Sequence, residues 1–209
     1  DMSDKLFFTV INVTDELNAY RVFETLNARG VKLSSTDLLK NYLFSVLHRD
    51  RQRRDEELPL LEQRWEDLVG RLGSEHFPEF LRVHWLSRGR FVRHANLFKE
   101  VRQDVTTRAD VFDLLTRLDQ DLDRYTALRD PSSSVLAPKA REYARQLKLF
   151  GVKQSYPLLL AAHRTFSQGD FETLFRACVV ISFRYNVICG FSPGDQEPVF
   201  AETARAIAE

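Results

Sequence analysis

The stretch F23-E-T-L-N-A-R-G-V-K-L-S-S-T-D-L-L-K-N41 sets the reading of the whole chain, because it ends one helix and starts another. Upstream of it, Leu17, Tyr20, Phe23 and Leu26 recur on one helical face, and Thr14 with Asp15 and Glu16 forms a capped, acidic first turn. Gly30 supplies the left-handed conformation that a helix C-terminus favours. The next helix starts at Ser34, with Asp37 in capping-box spacing and Leu33 and Leu38 flanking as a hydrophobic staple. It runs through Leu39, Tyr42, Leu43, Val46 and Leu47. A helix-turn-helix built this tightly predicts an α-helical protein.

Working outward, only residues 6–13, L-F-F-T-V-I-N-V, read as a strand, being rich in β-branched and aromatic residues. The segment 48–57, H-R-D-R-Q-R-R-D-E-E, has no aliphatic residue and predicts a solvated connection. Helices are then expected at about 58–72, 77–88, 95–105, 108–129, 138–150, 156–167, 169–189 and 196–209. The break D-P-S-S-S-V-L-A-P at 130–138 is a candidate boundary between two helical subdomains. The expected fold is mainly α, a multi-helix bundle of about ten helices with one N-terminal β-strand.

Composition sets further bounds. The chain has 209 residues, 44% of them hydrophobic, enough for a sizeable core. Its 30 basic and 30 acidic residues cancel, so binding to nucleic acid needs a local patch. The longest uncharged apolar run, A-C-V-V-I-S-F at 177–183, is far short of the roughly 20 residues that span a bilayer. Cys178 and Cys189 lie in or near a strongly apolar helical stretch and read as buried, reduced thiols, which implies a cytoplasmic protein without a membrane partner. The chain also reads as a piece of a longer protein, since its last helix stops without a cap.

Four constellations could carry chemistry. Around the opening turn stand Asn27, Arg29, Lys32, Ser34, Asp37, Lys40 and Asn41. A helix N-terminus with nearby cations can hold a phosphate or carboxylate, although the same residues serve any helix connection. From Phe80 to Lys99 no acid occurs, while Arg82, Arg88, Arg90, Arg93 and Lys99 alternate with His84, Trp85, Phe91, His94 and Phe98. Such interleaving suits a DNA surface, against which Trp85 and Phe91 read as core residues. The aspartates at 110, 113, 119, 121 and 123 match no calcium loop and read as a solvated face. Finally, residues 174–193 read as a central buried helix whose end, Arg184-Tyr185-Asn186, is either a packing clasp, the favoured reading, or part of a site. No zinc spacing, Walker loop, dinucleotide fingerprint or nucleophile elbow is present.

The opening stretch resembles the pattern Phe-x-x-Leu-Asn-x-x-Gly-x-x-Leu-x-x-x-Asp-Leu-x-Lys-Asn of the ParB-like proteins typified by GmrSD modification-dependent restriction endonucleases. The C-terminal F-R-Y-N-V-I-C-G-F-S-P-G-D-Q-E-P-V-F-A-E-T-A-R-A-I-A-E resembles the segment that joins their helical region to an HNH-type nuclease domain. The resemblance implies a phage-defence protein that hydrolyses nucleotide and cuts DNA carrying modified bases. It divides the chain into 1–47, the end of a ParB-like domain, and 48–209, a helical domain. Phe23, Asn27, Gly30, Leu33, Asp37, Lys40 and Asn41 match the motif, and of these Asn27, Gly30, Asp37, Lys40 and Asn41 are implied to bind or shape a nucleotide site.

The family's Asp-Gly-Gln-Gln-Arg motif is absent, so this segment is expected to hold no catalytic residue and no cofactor of its own. Nucleoside triphosphate and a divalent metal are implied for the longer protein. The implied partners are DNA, nucleotide, the upstream ParB-like and downstream nuclease segments, and further copies of the chain. The alternatives are a DNA-binding helical module, or a plain protein-interaction scaffold.

Overall fold

A computed structural model describes residues 35–48 and 54–209. Among these the chain is mainly helical, with nine α-helices and no strand. The strand expected at 6–13, the helix after Thr14, Asn27 and Gly30 lie outside the described residues.

In chain order the helices are α1 (Ser35–His48), α2 (Arg54–Leu72), α3 (Phe77–Leu86) and α4 (Leu97–Asp104), followed by α5 (Arg108–Arg129) and α6 (Pro138–Phe150). The last three are α7 (Tyr156–Thr165), α8 (Gln168–Ser182) and α9 (Glu197–Ala208). A π-helical turn, Phe183–Ile188, extends α8, and short 3-10 turns at His94–Asn96 and Pro193–Asp195 lead into α4 and α9.

Local chemistry explains the main boundaries. Thr107 accepts from the Asp110 backbone N–H while the Asp110 carboxylate accepts from the Thr107 N–H, a reciprocal box that starts α5. Ser167 caps α8 in the same manner through the Asp170 N–H. Pro138, Pro157 and Pro198 each occupy the first turn of a helix, where a missing N–H costs nothing. α6 stops because Gly151 adopts φ 67°, and its N–H and that of Val152 close back on the last carbonyls.

α5 lies at the centre. Its Val111, Leu114, Leu115, Leu118, Leu122 and Tyr125 are buried, and α1, α2, α3, α6 and α7 all pack on it. α7 is buried on nearly every side from Tyr156 to Ala162, with α8 and α9 against it. One continuous core joins these elements and includes Leu136 in the 130–138 break.

The structure corrects two expectations about helices. α2 begins at Arg54, inside the segment read as a solvated connection, and Glu57 there is buried and paired with Arg108. The interior of the fold thus supplies a charged residue with a cation from α5. The stretch 174–193 is not a central buried helix. Phe175, Cys178 and Val179 face the core, but Val180, Ile181, Phe183, Val187, Ile188 and Phe191 are exposed, because among the described residues the main helices against α8 are α6 and α7, which cover one side of it. Cys189 is likewise exposed, whereas Cys178 is buried and its thiol is pushed up to about 12 by desolvation.

Candidate functional site

The strongest concentration of buried polar groups is centred on Asp121. This aspartate, expected on a solvated face, has no exposed surface. It sits three residues after Leu118 and four before Tyr125, both buried, which places it on the core stripe of α5. Asp110, Asp113, Asp119 and Asp123 fall off that stripe and keep solvent contact. Helical spacing alone therefore held the signal for Asp121.

A buried carboxylate has to be neutralised and hydrogen-bonded. Asp121 Oδ2 meets His84 Nδ1 from α3 at 2.7 Å, an Arg164 nitrogen from α7 at 2.9 Å and an Arg88 nitrogen at 3.2 Å. Arg124, one turn further along α5, lies 3.5 Å from Oδ1. Arg164 also donates to the Ser87 carbonyl and hydroxyl, so the C-terminal end of α3 is bound into the same network. Burial pushes the Asp121 carboxyl up, but the His84 hydrogen bond and the charges of Arg164 and Arg88 outweigh it and hold the group at about 2. Burial dominates at His84 and drives its imidazole below 6.5, against the Asp121 contacts that favour the charged form and with Arg88 and Arg164 opposing it.

The resulting pair is an Asp121 carboxylate and a neutral His84 with its proton on Nδ1. Nε2 then carries a lone pair, and it has no partner among the described residues. His84 lines a cavity of about 480 Å³ together with Trp85, Arg88, Arg90, Glu100, Asp104, Asp110 and Arg117. An imidazole oriented by a carboxylate is equipped to accept a hydrogen bond or a proton there. Ser87 does not complete a hydrolytic triad with this pair, because its hydroxyl donates to the His84 carbonyl at 2.7 Å and not to the ring.

The basic stripe divides in two. Arg82 is held by Glu197 of α9, reaches the Val92 carbonyl at 3.3 Å and lies over the Phe91 ring. Arg88 turns inward to Asp121. Arg90, Arg93 and Lys99 are exposed and make no ion pair among the described residues. Trp85 and Phe91 are half-buried against the core.

In α1, Asp37 and Asn41 are exposed and Lys40 is half-buried, 3.6 Å from Glu62 of α2 and over the Phe44 ring. The inner face of α1 is fastened by Tyr42, whose hydroxyl donates to the Val105 carbonyl at 2.6 Å, with the Arg102 carbonyl at 3.1 Å. After α8, Asn186 donates to the Phe191 carbonyl at 3.2 Å and the Tyr185 and Phe191 rings meet at 4.9 Å, so these residues clasp the π-helical turn. Among the described residues no three His, Cys, Asp or Glu side chains gather to hold a metal ion, and no helix is long and apolar enough to cross a membrane.

The charge network sets the sign of the acid response. The folded pKa of His84 lies below its unfolded value of 6.5, and that of Asp121 lies at about 2, below 3.8. In both cases the unfolded chain binds protons first as pH falls, so both contributions are present at neutral pH and lost on acidification. The melting temperature should decline as pH falls below 6.5, and again below 3.8 towards 2. A melting temperature that rises between pH ~7 and ~5 would contradict a neutral, buried His84.

No family model matches this chain, and no match to a curated protein was found.

Proposed function

We propose that this chain is a non-catalytic helical segment of a GmrSD-like phage-defence protein, which completes a nucleotide site at the 23–41 turn and relays its state to a nuclease. The observation that carries the reading is the Tyr42 fastening. α1 follows the turn directly in sequence, and Tyr42 ties it to the carbonyls at the end of α4, the helix that bears Lys99. This contact gives a displacement of α1 a path to α4. Asp37 and Asn41 stand exposed on α1.

A second reading, a DNA-binding helical module, is favoured by the exposure of Arg90, Arg93 and Lys99 without ion-pair partners among the described residues. The two are compatible, because α4 belongs to both the relay and the basic surface.

Fluorescence anisotropy with plain and base-modified duplex DNA tests them together. Binding should weaken with salt, and replacing Arg90, Arg93 and Lys99 with alanine should lower the salt slope by about 3, one unit for each phosphate that the variant no longer neutralises. Adding a nucleoside triphosphate with magnesium should shift the DNA affinity, and Tyr42→Phe should remove that shift while leaving DNA binding. No binding at low salt would rule out the DNA surface. An affinity indifferent to nucleotide would rule out the relay.

A further inference from the structure

The cavity beside His84 contains more unsatisfied polar chemistry than the fold requires. His84 is 1% exposed, and its Nε2 has no partner among the described residues. Arg88 and Arg117 each keep a buried Nε–H without an acceptor. Glu100 and Asp104, one turn apart on α4, and Arg90, on the segment after α3, form no ion pair among the described residues. Asp110 is different, since its carboxylate is engaged in the α5 cap. The buried Nε–H groups of Arg88 and Arg117 are costly unless something completes them, whereas Arg90 and Asp104 are exposed and Glu100 is half-buried at the cavity.

The types of group specify what fits. The half-buried Trp85 offers an aromatic surface at the wall of the cavity, suited to stacking a flat heterocycle. His84 Nε2 and the carboxylates of Glu100 and Asp104 are acceptors and call for N–H donors on that heterocycle. The exposed Arg90 guanidinium, and that of Arg117 beyond its ion pair with Asp113 at 2.7 Å, are donors and call for an anionic, multi-oxygen group, while Arg88 is held by Asp121. A volume of about 480 Å³ lies in the range of small-molecule sites, roughly 300–1,000 Å³.

We propose that this cavity binds a nucleotide, with an amino-bearing base stacked on Trp85 and reaching His84, Glu100 and Asp104, and its phosphate held by Arg90 and Arg117. The proposal rests on residues between His84 and Arg117 and does not depend on the reading of the 23–41 turn. The nucleotide is either free or a unit of a single strand, and the chemistry of recognition is the same.

The chain has two tryptophans, and Trp65 is buried away from the cavity wall, so Trp65→Phe leaves Trp85 as the single fluorescent reporter. Titration of that variant with AMP and CMP should give saturable quenching. TMP, whose base lacks an exocyclic amine, should bind more weakly, and ribose 5-phosphate should not quench. Arg90→Ala, at an exposed position, should weaken AMP about tenfold, the scale of one charge-assisted hydrogen bond. Asn27→Ala should leave the Trp85 signal in place, which separates this site from the turn. Calorimetry of AMP with the unsubstituted chain should give the same affinity, in case Trp65→Phe perturbs the fold. A single-stranded oligonucleotide that binds more tightly than AMP identifies a strand as the source, and one that binds no more tightly identifies free nucleotide. Absence of saturable binding by both, equal quenching by ribose 5-phosphate, or an affinity unchanged in Arg90→Ala would overturn the proposal.

Discussion

Asp121→Asn should destabilise the protein by about 3–5 kcal/mol, the usual loss when one member of a buried ionic cluster is removed. For a chain of this size that lowers the melting temperature by roughly 10 °C, at 2–4 °C per kcal/mol. The reason lies in what remains. Arg164 and Arg88 stay in place with side chains only 13% and 28% exposed, and they lose the charge that offsets their desolvation. An asparagine oxygen can still accept one hydrogen bond, but it cannot neutralise two guanidinium groups. The substitution also removes the strongest acceptor for the His84 Nδ1–H, so the lone pair on Nε2 is no longer enforced. Urea unfolding measures the loss through the midpoint, with the slope unchanged. A cost below about 1 kcal/mol, the scale of an exposed ion pair, would mean that water reaches the cluster.

Phe80→Ala should cost a similar amount, about 3–5 kcal/mol, for a different reason. Phe80 has no exposed surface, and its ring lies 5.0 Å from that of Tyr125, 6.2 Å from Phe77 and 6.3 Å from His84. It fills the contact between α3 and α5 directly beneath the charge cluster. Truncation leaves a cavity among close-packed rings that cannot collapse without shifting α3, and with it His84. Loss of the Trp85 nucleotide signal should accompany the loss of stability. Leu149→Ala is the matched control, because Leu149 is 83% exposed and its removal should change stability by no more than about 0.5 kcal/mol. Equal effects at the two positions would refute a role for Phe80 in packing.

The helices themselves are legible in the sequence. At 108–129 the spacing of Val111, Leu114, Leu115, Leu118, Leu122 and Tyr125 predicts one long helix, and α5 occupies that range. The elements at 77–88, 138–150 and 156–167 appear as α3, α6 and α7 within one to two residues at most ends. α2 starts four residues earlier than its apolar pattern because charged residues extend a helix when a tertiary partner meets them, as Arg108 meets Glu57. The candidate site is visible in the sequence only in fragments. Arg88, Arg90 and Trp85 stand out within a basic and aromatic stripe, whereas Asp121 reads as solvated together with its neighbours. Its place on the Leu118 and Tyr125 stripe is the available signal, and the matching cation, Arg164, is 43 residues away.

Local spacing by itself determined where the helices run and which face of each is apolar, because 3.6-residue periodicity and capping chemistry act over a few residues. Only the tertiary structure decided which charges are buried. The free energy of a carboxylate depends on whether cations from distant segments reach it, and for Asp121 those come from the residues just after α3 and from α7, with the neutral His84 of α3 adding a hydrogen bond. The same holds for the apolar surface of α8, where Ile181 and Cys178 belong to one hydrophobic stretch but differ in exposure because neighbouring helices cover one side.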